Sequence, residues 1–209
     1  MYLVRALPVF LTLCAFISTG TVFAGPADEA RQALGQGIDE VSAVLRDRPA
    51  EDDLVALLDT LAQKHFAFTT TTRLAVGPAW REFSPAERVK TTELFSRLVV
   101  RTYSNRIRGE NAPDITYGIP LELRAGRVEV PTTVKVNGST YAILYRLELA
   151  NDEAAAKGWR VYDVVAEGVS LIANYRSQFD PIVRSAGAAG IIRTLEAKLA
   201  EPLLATTQP

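Results

Sequence analysis

The chain reads as α+β: helices that cover one face of a curved antiparallel sheet of four to five strands. Three observations point there. Apolar residues recur at helical spacing through the first half, with a capping box at Ser84-Pro85-Ala86-Glu87. From Asp114 the apolar period changes to two. Asn137-Gly138 then stands where a two-residue turn brings two alternating stretches into register.

Taken in order, Ala27 to Arg46 is predicted as a helix weakened by Gly35 and Gly37, and Asp52 to Phe66 as a second with Leu54, Leu57, Leu58 and Leu61 inward. At Ser84 the capping serine, the proline at the first helical position and Glu87 start a helix that runs to about Arg106. Val89, Phe95, Leu98, Val99 and Tyr103 are expected on its inward side, with Glu93, Arg97 and Arg101 opposite. Glu93 and Arg97 form an i, i+4 pair worth only about 0.3 kcal/mol, so the charged side is simply the solvated one.

Ile115, Tyr117, Ile119, Leu121 and Leu123 alternate as one strand, followed by Arg127 to Val136 and Ser139 to Leu149. A type I′ turn at Asn137-Gly138 sets Val136 opposite Ser139, Val134 opposite Tyr141, Thr132 opposite Ile143, Val130 opposite Tyr145 and Val128 opposite Leu147. One face then becomes apolar, while Glu129, Thr133, Lys135, Arg146 and Glu148 lie on the other. Trp159 to Ala166 supplies a fourth strand, and the helix from Ser170 is expected to pack back over the sheet. Asp180-Pro181 should end or kink that helix, with Ile191, Ile192, Leu195 and Leu199 inward beyond it.

Arg5, the apolar stretch Ala6 to Ile17 and Val22-Phe23-Ala24 form the three parts of a secretory signal peptide over residues 1–24. About a dozen apolar residues fall short of the roughly 20 a spanning helix needs. Residues 25–201 are expected as one domain and 202–209 as a frayed tail. The single cysteine, Cys14, lies in the leader, so the mature domain carries no disulfide, thiolate metal site or cysteine nucleophile. With 23 Lys and Arg against 24 Asp and Glu, no whole-molecule field points to nucleic acid.

Few residues suggest chemistry. His65, the sole histidine, has no partner at metal-ligand spacing, and no glycine cluster follows a strand to cradle a phosphate. Asp163 shares strand parity with Trp159, Val161 and Val165, which would put a carboxylate on a mostly apolar face. Two readings follow: a proton-transfer base in a cavity of the ketosteroid isomerase kind, or a structural group that pairs with Arg160 or Arg176 or holds the Gly168-Val169-Ser170 turn. Arg176 could likewise meet a ligand phosphate or an internal carboxylate, Asp163 or Glu167. No second titratable group is placed to complete a mechanism, so an enzyme is not the expectation.

The run Gly158-Trp159-Arg160-Val161-Tyr162-Asp163-Val164-Val165-Ala166-Glu167-Gly168-Val169-Ser170, continued by Leu171-Ile172-Ala173-Asn174-Tyr175-Arg176-Ser177-Gln178-Phe179, closely resembles the C-terminal signature of the MlaC family. Gly77, Trp80-Arg81 and the segment Leu98 to Asn105 extend the resemblance over roughly residues 50 to 200. Two departures, Ala67 for a frequent acidic residue and Pro78 for a basic one, touch local surface only.

The family comprises periplasmic phospholipid-binding shuttles, also called toluene-tolerance auxiliary proteins. The resemblance implies a deep apolar cavity between sheet and helices that holds acyl chains, with the head group at the mouth. It implies no cofactor, and a monomer that receives and delivers phospholipid between an outer-membrane lipoprotein/porin complex and an inner-membrane ABC transporter with its periplasmic lipid-binding subunit. Membrane contact would then be transient and made through these partners. The candidate acyl-chain contacts are Leu98, Tyr103, Val130, Val134, Ile143, Tyr145, Leu147, Val161, Val165, Val169, Ile172 and Tyr175. Hopanoid-associated relatives share the signature, so carriage of another lipid is the alternative.

Overall fold

A computed structural model describes residues 25–47, 49–107, 113–150 and 158–201. The expected leader and tail lie outside these residues. Five helices and six strands follow in the order α1 (Pro26–Asp47), α2 (Glu51–His65), α3 (Phe68–Val76), a 3-10 helix (Gly77–Glu82), α4 (Pro85–Ile107), β1 (Asp114–Tyr117), β2 (Leu121–Arg124), β3 (Arg127–Val136), β4 (Ser139–Ala150), β5 (Gly158–Ala166), β6 (Val169–Ser170) and α5 (Leu171–Ala200). All strands belong to one antiparallel sheet, β1-β3-β4-β5-β6, with β2 also paired to β3.

The β3–β4 hairpin has the register set by its turn, from Val136 opposite Ser139 to Val128 opposite Leu147. Asn137 (φ 48°) and Gly138 (φ 80°) supply the two positive φ values that a type I′ turn requires. Two extra strands arise for local reasons. The stretch predicted as one strand is broken between β1 and β2, where Gly118 N donates to Pro131 O at 2.8 Å. A Cβ on Gly118 would come within 2.9 Å of the Pro131 ring, so only glycine permits that approach. The turn Glu167-Gly168 adds the two-residue β6, and the Glu167 carboxylate accepts from Ala142 N at 2.6 Å.

Two apolar clusters hold the molecule together. In one, Ala30 and Leu34 of α1 pack on Val128, Val130, Leu147, Trp159 and Val161 of the sheet. In the other, α2 to α5 pack on one another through Leu58, Phe68, Phe95, Val99, Tyr175, Phe179, Ile191 and Leu195. The layer over the sheet is therefore α1 rather than α5, because α5 buries its apolar side chiefly against α3 and α4. The edge of β5 is closed by the chain between α2 and α3. Ala67 N donates to Val161 O and Thr71 Oγ1 to Tyr162 O, each at 2.8 Å, which satisfies an edge that would otherwise be open.

The capping box forms at α4: Ser84 N donates to Glu87 Oε2 at 2.8 Å and Glu87 N to Ser84 Oγ at 3.3 Å. Val89 is 69% exposed rather than inward, since that turn is taken by Arg88, which lies over Trp80 and donates to Trp80 O. Arg101, expected on the solvated side, instead donates to the carbonyls of Leu199 and Glu201 at the end of α5. In α5 the helix continues through Pro181, and the break comes at Gly187 (φ 57°, ψ −150°), a conformation open to glycine. Beyond it Ile191 and Leu195 are fully buried.

Candidate functional site

The two clusters do not close on each other. Between them lies a cavity of about 410 Å³, walled by the inner face of the sheet and by α1, α2 and α4. On α1 the stripe Leu34, Ile38, Val41 and Leu45 follows helical spacing and points into it. Leu58, Leu61, Ala62 and His65 come from α2, and Val99, Val100, Tyr103 and Ser104 from α4. The sheet contributes Ile115, Val134, Val136, Ile143, Tyr145, Leu147, Trp159, Val161, Val164 and Ala166. A volume of this size, almost without charge, is suited to an apolar ligand.

Six of the twelve candidate contacts line the cavity: Tyr103, Val134, Ile143, Tyr145, Leu147 and Val161. The other six are elsewhere. Val130 is fully buried beneath α1, and Leu98 and Tyr175 belong to the helical core, where the Tyr175 ring meets Phe95 edge-on at 4.7 Å. Ile172 is buried at the start of α5 outside the cavity wall. Val169 is 62% exposed at the two-residue edge strand.

Val165 is displaced by a bulge. Arg146 of β4 pairs with Asp163 and the next residue, Leu147, pairs with Val161, so β5 carries one extra residue at this point. Strand parity therefore reverses, and Val164 and Ala166 take the places on the cavity wall that unbroken alternation assigns to Asp163 and Val165.

The same bulge decides the role of Asp163. Its carboxylate, 2% exposed, lies on the outer face, where Oδ2 accepts from Arg146 Nη1 at 3.1 Å and from Ser170 Oγ at 2.7 Å, and Oδ1 from Ile172 N at 3.1 Å. Asp163 thus ties β5 to the start of α5, where Ser170 Oγ in turn caps Ala173 N. A base inside the cavity is not what it can be. Arg176 meets none of the carboxylates considered for it; its Nε donates to Leu74 O at 3.0 Å near the end of α3.

The imidazole on the cavity wall is engaged by a carboxylate outside it. His65 Nε2 lies 3.0 Å from Glu40 Oε2, and Lys64 Nζ reaches Glu40 Oε1 at 2.7 Å. These hydrogen bonds, from His65 first and Lys64 second, hold the Glu40 carboxyl below its ordinary value. Burial raises the Tyr145 phenol to about 12, with the neighbouring Tyr117 phenol as a second cause. Among the described residues no group of His, Cys, Asp and Glu could hold a metal ion, and no helix is long and apolar enough to cross a membrane.

The profile of the family described as MlaC protein matches residues 36–197, more than half of the 209-residue chain. The chain belongs to the MlaC family. Its fold is that of a solved structure, the phospholipid-binding protein from Ralstonia solanacearum in complex with a phospholipid, at a TM-score of 0.72 and 25% sequence identity. The match covers 82% of this chain and 97% of that one. No curated protein sequence matches the chain. In this member of the MlaC family the sheet side of the cavity includes the candidates Val134, Ile143, Tyr145, Leu147 and Val161 but also Ile115, Val136, Trp159, Val164 and Ala166, and Tyr103 is the candidate on its helical side. The stripe on α1 was available as a signal, but two glycines within it made that helix look weak.

Proposed function

We propose that this MlaC-family protein is a non-enzymatic lipid carrier whose cavity holds the acyl chains of a phospholipid. One observation carries the reading: an apolar cavity of about 410 Å³ left open between two well-packed clusters, in a fold shared with a protein solved in complex with a phospholipid. A core of ordinary sequence closes such a space, because each unfilled volume forfeits packing energy. A ligand that fills it offsets that loss.

The energetics fit a shuttle. At roughly 0.8 kcal/mol per buried CH₂, two chains with about 30 such groups cost on the order of 20 kcal/mol if exposed to water. A carrier in water must match the bilayer as a solvent, and a match that close leaves loading and unloading to its partners. In this reading the protein works in the periplasm as a monomer, between an outer-membrane lipoprotein/porin complex and an inner-membrane ABC transporter with its periplasmic lipid-binding subunit. The enzyme alternative named Asp163 as its base, and that carboxylate is engaged by Arg146, Ser170 and Ile172 on the other face of the sheet.

Protein purified from its own host, extracted with organic solvent and examined by mass spectrometry, tests the reading. Stoichiometric phospholipid is the expected result. Folded protein carrying only hopanoid, or no lipid after incubation with phospholipid vesicles, would overturn it.

A further inference from the structure

Along β4 the cavity wall presents Ile143, Tyr145 and Leu147 in succession, a phenol between two aliphatic side chains. The cross-strand neighbours of Tyr145 are Val130 and Val164, so none of these four can take its proton through a side chain. Among the described residues the Tyr145 hydroxyl has no hydrogen-bond partner. Two other polar groups of the wall are engaged within the protein: Ser104 Oγ donates to Val100 O at 2.7 Å, and His65 pairs with Glu40. Burial keeps the phenol protonated, and therefore a donor, at any physiological pH. The hydroxyl is not sealed in the core but opens on the cavity, where a ligand acceptor can reach it, and phenylalanine in its place would lose only that contact.

We propose that Tyr145 is a specificity-determining residue of the cavity, donating its phenol proton to the ester carbonyl of an acyl lipid. The inference rests on the carrier reading and deepens it. The partner must accept a hydrogen bond, must be neutral because no counter-charge faces this stretch of wall, and must adjoin hydrocarbon because Ile143 and Leu147 flank it. An acyl ester meets all three conditions. An ether oxygen is a poorer acceptor and a fused hydrocarbon ring offers none, so ether lipids and polycyclic lipids leave the donor unpaired.

The test uses the full mature chain in three forms: wild type, Tyr145→Phe and, as a control on the same sheet face toward the exposed end of β4, Tyr141→Phe. Each is incubated with vesicles of equal parts dipalmitoyl phosphatidylglycerol and its dihexadecyl ether analogue, re-isolated and extracted, and the bound lipids are counted by mass spectrometry. Wild type and Tyr141→Phe should enrich the ester lipid about three- to tenfold, the worth of one neutral hydrogen bond. Tyr145→Phe should bind both equally and unfold at the same denaturant midpoint as wild type or a higher one.

Absence of discrimination by wild type, or enrichment that persists in Tyr145→Phe, overturns the proposal and leaves the carrier reading standing. A lowered midpoint for ligand-free Tyr145→Phe also overturns it, by showing that the hydroxyl stabilises the protein alone. Binding of neither lipid by folded wild type overturns both readings.

Discussion

Gly37 of α1 and His65 at the end of α2 meet so closely that a Cβ built on the glycine would lie 3.1 Å from both Cγ and Nδ1 of the imidazole. The approach lets Glu40, one turn further along α1, reach the ring at 3.0 Å. Both residues line the cavity, so the same contact fixes the distance between two of its walls. A glycine inside a helix costs about 0.5–1 kcal/mol relative to alanine, and here the close approach explains its presence.

Gly37→Val should therefore separate the helices. The branched side chain cannot share space with the ring, and overpacking of this kind costs about 1–3 kcal/mol. Gly37→Ala sets a gain in helix propensity against a tight contact and should lie between the two. Denaturant midpoints read the result, and a Gly37→Val protein as stable as wild type would show that the wall yields freely.

The Glu40 contacts carry a pH dependence whose sign is fixed. Its carboxyl is held below the ordinary value of 4.5 by hydrogen bonds from His65 and Lys64, so its contribution is present above that value and is lost as pH falls through the folded pKa. Wild type should be more stable than Glu40→Gln at pH 7, and the two midpoints should converge below pH 4.5. Since Glu40 and Lys64 are well exposed, the difference should be small and should shrink in high salt. Parallel curves at all pH values would remove the role assigned to Glu40.

What could be read from the sequence was what local rules determine. Asn137-Gly138 and the alternation on either side of it fix every pair of the β3–β4 hairpin, and with it Val134, Ile143, Tyr145 and Leu147 on the cavity wall. The bulge opposite Arg146 has no such signal, because Val161, Asp163 and Val165 alternate as a regular strand would. Pairing across the sheet places the extra residue, and that is a property of β4 and β5 together. Likewise Pro181 suggests a helix break, yet the break falls at Gly187, beyond which Ile191 and Leu195 pack into the core.

Asp163→Asn tests the outer-face network that the bulge creates. The amide leaves one acceptor for Ile172 N, Ser170 Oγ and Arg146 Nη1, and a donor facing groups that themselves donate. A loss of about 1–3 kcal/mol is expected, near the lower end because Arg146 is one-third exposed. Lipid content per folded molecule should not change, since the carboxylate lies on the face away from the cavity. Loss of lipid without loss of stability would return Asp163 to the binding site.

Ile143→Glu is the substitution that most directly tests the cavity. Ile143 lies on its sheet wall opposite Thr132 of β3, and the side chain points into open volume rather than into a close-packed core. The variant should therefore fold. An ionised carboxylate among methylenes is costly, so it either draws in water or takes up a proton, and in both cases an acyl chain competes badly with the bilayer. Bound phospholipid should fall by at least about tenfold, the effect of only about 1.4 kcal/mol. Val169→Glu provides the comparison: with Val169 62% exposed at the edge of the sheet, its carboxylate can remain in water, and the loss should be smaller. Circular dichroism and the unfolding midpoint establish that each variant is folded, and mass spectrometry of the extract counts the lipid. If folded Ile143→Glu retains the wild-type amount of phospholipid while Val169→Glu loses it, the chains run along the sheet edge and not through the cavity between the two clusters.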